Sequence, residues 1–118
     1  MKNVNQNGKT INIDMKIIKT VGVVGAGTMG SALAQKFAME GFEVILLDKS
    51  MDFVNNGLRR IKDTLLEGVE KKIFTAERSE KVIARIKGSD NIYEMAKAEL
   101  IIEAIYEKAN CNFEEKDI

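Results

Sequence analysis

The sequence predicts an α/β fold: a parallel sheet of about four strands, helices on both faces, and a helical hairpin inserted between strands. Three observations carry this. Lys19 to Val24 is almost wholly apolar, the pattern of a strand buried on both faces. A helical pattern and a second apolar run at 42–48 follow at once, a strand–helix–strand unit. A long charged stretch of helical period then separates this unit from a later apolar run, "AELIIEAI" at 98–105.

The elements follow in order. Residues 1–15 open with the polar, Asn-rich "MKNVNQNGKTINID" and read as a flexible tail; residues 16–118 form the domain. The first helix is predicted over Thr28 to Glu40, with Met29, Leu33 and Phe37 at i, i+4, i+8 and Ala34 and Ala38 beside them. Gly41 ends it, as glycine does where a helix stops in a left-handed residue. Asp52 to Lys71 carries Phe53, Leu58, Ile61, Leu65 and Val69 at helical spacing. A second arm of the hairpin covers 75–87, with Thr75 as its cap. A short strand near Arg85 to Ser89 and a turn of helix at Glu94 to Lys97 lead to the strand at 98–105. "EKANCNFEEKDI" reads as the start of another helix.

Composition narrows the function. Eighteen Lys and Arg balance eighteen Asp and Glu in 118 residues, so a nucleic-acid partner, which needs a basic excess, is not expected. A single cysteine, Cys111, makes no internal disulfide, and with no histidine a zinc site is not expected. No apolar run reaches membrane-spanning length, so no membrane partner is expected. Residues 17–34 faintly resemble a secretion signal, but the glycines and Lys19 break the apolar run, and a cytoplasmic chain is expected.

"VGVVGAGTMG", residues 21–30, places Gly25, Gly27 and Gly30 at GxGxxG spacing between strand and helix. In that context the first glycine permits a sharp turn, the second lets backbone approach a pyrophosphate, and the third lets helix pack on strand. Helix N-terminal N–H groups then favour the phosphates. Asp48 ends the second strand 23 residues after Gly25, near the ~20 expected for an acid that accepts from a ribose 2′-hydroxyl. Its charge repels a 2′-phosphate, which favours NAD over NADP. The plainer alternative is a tight turn with Asp48 merely starting the next helix.

Other features decide less. Tyr93 and Lys97 form a YxxxK pair, but ahead of the fourth strand; Tyr93 reads as a half-buried helix residue. Cys111 has no histidine to activate it and reads as a plain thiol. The lysines at 71–72 and 81–87 read as solvated faces, or as contacts for phosphates of a substrate carrier. Glu103 and Glu107 flank the end of the fourth strand, where open α/β sheets bind ligands; a solvated role fits Glu103 better.

"VGVVGAGTMGSALAQKFAMEGFEVILLDKS" and "AELIIEAIYE", with the long insertion between them, resemble the L-3-hydroxyacyl-CoA dehydrogenases of the 3-hydroxybutyryl-CoA type. The likeness runs over about residues 17–118. It implies a Rossmann-like domain, incomplete at its C-terminal end, with NAD as cofactor. Related hydroxyisobutyrate and 6-phosphogluconate dehydrogenases have a much shorter connection there. By position, Gly25, Gly27, Thr28, Met29, Gly30 and Asp48 would hold the cofactor, with Ala104 and Glu107 against it beyond the fourth strand. Thr64 and Lys71 fall in the register of the family's Ser/Thr and Lys contacts to coenzyme A, while a family lysine is replaced by Asn112. The resemblance implies oxidation of (3S)-3-hydroxyacyl-CoA to 3-oxoacyl-CoA, or its reverse. The family's catalytic His–Glu pair has no counterpart here, so no catalytic residue is assigned and the chain alone is expected to be inactive. Partners implied are acyl-CoA in the parent enzyme and either a second copy or a C-terminal domain. The alternatives are a non-catalytic, stand-alone dinucleotide-binding module or a different β-hydroxyacid dehydrogenase, against which the insertion length argues.

Overall fold

The structure, a computed structural model, describes residues 2–4, 10–12 and 18–105. Of the expected tail, β1 (Lys2–Val4) and β2 (Thr10–Asn12) pair antiparallel as a separate two-stranded ladder. The predicted C-terminal helix, with Glu107, Cys111 and Asn112, lies outside the described residues.

The main sheet holds β3 (Thr20–Val24), β4 (Glu43–Leu47), β5 (Ile86–Ser89) and β6 (Leu100–Glu103) in the order β5-β4-β3-β6, all parallel. The central strands lack polar alternation because both their faces are covered: Val21, Val23, Val44, Ile45, Leu46 and Leu47 are all buried.

Three helices connect these strands: α1 (Thr28–Met39), α2 (Met51–Glu70) and α3 (Ala76–Ala84). Helices on both faces were expected, yet all three pack on one. There Val21, Val23, Val44 and Leu46 meet Ala34 and Ala38 of α1, Ile61 and Leu65 of α2, and Val82 of α3. The opposite face, with Val24, Ile45 and Leu47, is covered through Met95 of a short 3-10 helix, Ile92–Lys97. Crossover handedness explains the asymmetry. The chain steps from β3 to β4 to β5 in one direction, so right-handed connections keep α1, α2 and α3 on one side. The step from β5 to β6 runs back past β3, and its connection must cross the other face.

Within the helices the buried stripes are shifted from expectation. In α1 the buried residues are Gly30, Ser31, Ala34 and Ala38, while Met29 is exposed and Leu33 and Phe37 pack at the margin. Small side chains face the sheet, so the helix axis lies close to the strands. In α2 the stripe is Val54, Gly57, Ile61, Leu65 and Gly68; Phe53 lies outside it and is exposed. Ser50 caps α2 and Thr75 caps α3, each side chain accepting from the N–H three residues on. Tyr93 is 82% exposed rather than half-buried, because Met95 is the residue that this short helix inserts under the sheet.

A side chain fastens the start of β6. The Glu99 carboxylate accepts from the N–H groups of Lys19 at 2.9 Å and Thr20 at 2.8 Å, and its own N–H donates to the Thr20 carbonyl. The two donated hydrogen bonds hold its carboxyl below the ordinary value of 4.5. A lowered folded-state pKa contributes stability above the unfolded carboxylate range and loses it as pH falls through the folded value. Glu99→Gln should therefore flatten the acid side of a thermal-melting profile below about pH 4.5 and leave the neutral side little changed in slope. An unaltered acid slope would refute the coupling.

Candidate functional site

The site is built where strand order reverses. β4 and β6 flank β3 on opposite sides, so the segments leaving their carboxyl ends diverge and open a crevice. Gly25 follows β3, Asp48 follows β4, and Ala104 follows β6, so three distant parts of the chain meet at one end of the sheet. They line an open cleft of about 1090 Å³, along with Gly27, Thr28 and Met29. Glu103, at the end of β6, is exposed.

The three glycines have distinct steric reasons. Gly25 has φ +110°, and a Cβ there would stand 2.7 Å from the Ala104 carbonyl oxygen. A Cβ on Gly30 would strike the Gly25 carbonyl, so helix and loop meet backbone to backbone. At Gly27 a Cβ would meet nothing within 4 Å. Packing thus gives no reason for a glycine at this position, which borders the cleft and begins α1 with no side-chain cap. An open backbone cradle at a helix N-terminus fits a pyrophosphate, whose oxygens need N–H donors and close approach.

Asp48 holds the loop. Its Oδ2 accepts from the Ala26 N–H at 2.8 Å and its Oδ1 from the Lys49 N–H at 2.7 Å. It does not begin the next helix as a cap, since Ser50 has that role. Each carboxylate oxygen keeps acceptor capacity beyond one hydrogen bond, which fits a ribose diol at the cleft.

Several cleft residues carry no motif signal. Phe53 is 46% exposed, and the Lys49 ammonium lies 5.3 Å from its ring centroid. Asp90 and Ile92, from the β5–β6 connection, also line the cleft. Arg60 donates from Nη1 to the Ala26 carbonyl at 3.2 Å, and Gly57 lets α2 approach that same carbonyl. The sequence cue was that Val54, not Phe53, stands four residues before Leu58, and Val54 is the residue buried.

The residues expected at coenzyme A lie elsewhere. Thr64 lines a smaller cavity of about 280 Å³ between α1 and α2, its hydroxyl donating to the Arg60 carbonyl at 2.9 Å. Lys71 follows the last residue of α2 and pairs with Glu67 at 3.1 Å. Seven residues is two helical turns, so both stand on one side of α2. The Tyr93–Lys97 pair is not assembled: Lys97 bonds Glu94 at 3.0 Å, and hydrogen bonds from Lys97 and Lys87 hold the Glu94 carboxyl below its usual range. Among the described residues, no three His, Cys, Asp or Glu side chains gather as metal ligands, and no helix is long and apolar enough to cross a membrane.

A family model for the NAD-binding domain of 3-hydroxyacyl-CoA dehydrogenase matches residues 20–113. The chain belongs to this family. A 3-hydroxybutyryl-CoA dehydrogenase of Bradyrhizobium diazoefficiens is 39% identical over 92 residues, 78% of this chain and 31% of that protein. A probable 3-hydroxybutyryl-CoA dehydrogenase of Bacillus subtilis is 40% identical over 90 residues, 76% of this chain and 31% of that protein. The crystal structure of (S)-3-hydroxybutyryl-CoA dehydrogenase from Ralstonia eutropha superposes with a TM-score of 0.75 at 33% identity, covering 84% of this chain and 35% of that one. The chain thus spans about a third of the length of these relatives. As a 3-hydroxyacyl-CoA dehydrogenase NAD-binding domain, it takes NAD as its cofactor, and the Gly27 cradle and Asp48 carboxylate fit that molecule.

The glycines separate binding from folding. Gly27→Ala should keep a near-native melting temperature and weaken NADH by roughly tenfold or more, by obstructing phosphate approach. Gly30→Ala should lower the melting temperature by several degrees, about 1–3 kcal/mol for overpacking. Calorimetric titration beside thermal melting checks both; equal melting losses would sink the distinction.

Proposed function

We propose that this chain is a cofactor-binding part of a dehydrogenase acting on (3S)-3-hydroxyacyl-CoA, in either direction between the 3-hydroxy and 3-oxo forms. The observation that carries the reading is the convergence of the glycine loop, Asp48 and Ala104 on one cleft in a chain matched by the family over residues 20–113. In this reading Gly25, Gly27, Thr28, Met29, Gly30, Asp48 and Ala104 receive the cofactor, with Glu107 beyond them, and Thr64 and Lys71 receive coenzyme A. When bound, NAD supplies the hydride acceptor. The chain's own residues bind and orient it: the loop N–H groups hold phosphate, and the Asp48 carboxylate holds the ribose and disfavours a 2′-phosphate. With no histidine in its 118 residues, the chain is read as binding without turnover, in the cytoplasm.

The decisive test titrates NADH and NADPH into the chain, beside Asp48→Ala and Asp48→Asn. NADH should bind with NADPH at least about tenfold weaker, and Asp48→Asn should narrow that gap by removing the repelling charge. Asp48→Ala should weaken NADH further, since the Ala26 N–H also loses its acceptor. Failure of NADH to bind the wild-type chain would overturn the reading.

Association follows from β6. Among the described residues it is an edge strand of the sheet, and Leu100, Ile101 and Ile105 are exposed. We expect a homo-oligomer, or docking of the remainder of a dehydrogenase, across this edge. Sedimentation of the isolated chain at high concentration should show species above the monomer; a monodisperse monomer would exclude self-association.

A further inference from the structure

We propose that Arg60 is a phosphate-holding residue shared by the two cavities, its ligand class an adenosine compound bearing a pyrophosphate. This rests on the cofactor reading above and adds a residue that the glycine motif does not contain. Arg60 lies on the second turn-pair of α2 yet borders both the large cleft and the smaller α1–α2 cavity, which adjoin at Thr28, Ala32 and Arg60. Its guanidinium is tethered to the loop: Nη1 donates to the Ala26 carbonyl, one residue from the open position at Gly27. A guanidinium has five N–H donors in a planar fork. One is engaged here, and among the described residues the carboxylates in ion pairs bond to lysines, none to Arg60.

Asp48 and Asp90 also border the cleft, but no carboxylate among the described residues pairs with Arg60. The nearby sequence acid, Asp63, is one turn along α2 and makes no ion pair with Arg60 among the described residues. The other basic residue bordering the cleft, Lys49, lies over the Phe53 ring. The Ala26 tether pre-orders a long side chain, which lowers the entropy lost when it meets a ligand. A fork beside a Cβ-free loop suits two linked phosphates, one on the loop N–H groups and one on the guanidinium. NAD and coenzyme A both carry an adenosine pyrophosphate, so the chemistry is shared and the source is settled by experiment.

The experiment uses the 118-residue chain, as wild type, Arg60→Gln and Arg60→Lys, each titrated with NADH and separately with coenzyme A at low and moderate salt. Arg60→Gln should weaken the ligand whose phosphates it holds by roughly tenfold and flatten the salt dependence of that affinity. Arg60→Lys should restore part of both, because charge returns without the fork. Loss confined to NADH assigns the dinucleotide, loss confined to coenzyme A assigns the thioester carrier, and loss of both assigns a shared contact. In the wild-type chain the same ligand should also shield Arg60 from phenylglyoxal, read by mass spectrometry, which holds even if Arg60→Gln folds poorly. Wild-type binding of NADH or coenzyme A, with Arg60 shielded by neither and the salt dependence of both unchanged in the variants, overturns this proposal alone. No binding of either ligand by the wild type overturns it together with the cofactor reading.

Discussion

The backbone of Ala26 is the point on which the site depends. Its N–H is held by Asp48 from the end of β4 and its carbonyl by Arg60 from α2, while the Ser31 hydroxyl of α1 donates to the neighbouring Gly27 carbonyl at 2.7 Å. Two elements remote in sequence, the end of β4 and α2, thereby fix the two peptide groups on either side of Ala26. The flanking glycines make this possible: Gly25 turns with a positive φ, and Gly30 brings α1 against the loop backbone. Gly57 extends the same logic to α2, since a Cβ there would stand 2.7 Å from the Ala26 carbonyl oxygen. The loop is therefore preorganised by side chains and by the absence of side chains, before any ligand arrives.

This arrangement gives Asp48 two tasks. A carboxylate that accepts from the Ala26 N–H ties the glycine loop to the end of β4, and it lines the cleft with acceptor capacity to spare. The charge at the cleft and the geometry of the glycine loop are then coupled through one residue. Substitution of Asp48 acts on both, which is why an isosteric amide and a truncation report different things.

The sheet is unevenly covered. One face carries three helices, and the other rests on a 3-10 helix with Met95 under Gly22, Ile45 and Leu47. Ile101, paired in register with Gly22, shares the thinly covered face and is 49% exposed. Exposed apolar side chains include Leu100 and Ile101 of β6 and, around the cleft, Met29, Phe53, Ile92 and Ile105. Surface of this kind is where ligands and partner segments gain most from burial.

Strand runs, the glycine spacing and the acid at 48 were legible in the sequence because each reflects a local requirement: double-sided burial, backbone conformation, and the end of a strand. The same runs, with the long helical insertion, carried the family. Element order and most boundaries follow from periodicity in the same way. The identity of the buried stripe did not. Met29 and Phe53 satisfy helical spacing, yet the sheet accepts Gly30, Ala34 and Val54 in their place, and the two large side chains border the cleft. Periodicity specifies that a helix has a face; which residues form it depends on how closely the neighbouring backbone approaches. One-sided helix packing likewise came from strand order and crossover hand, which no local pattern encodes. Arg60 belongs with these: 34 residues from Ala26 in sequence, it becomes part of the loop only when α2 packs through Gly57. The chain by itself determined the strands, the turn and the acid; tertiary structure alone decided which side chains meet at the cleft, because that rests on contacts between backbones distant in sequence.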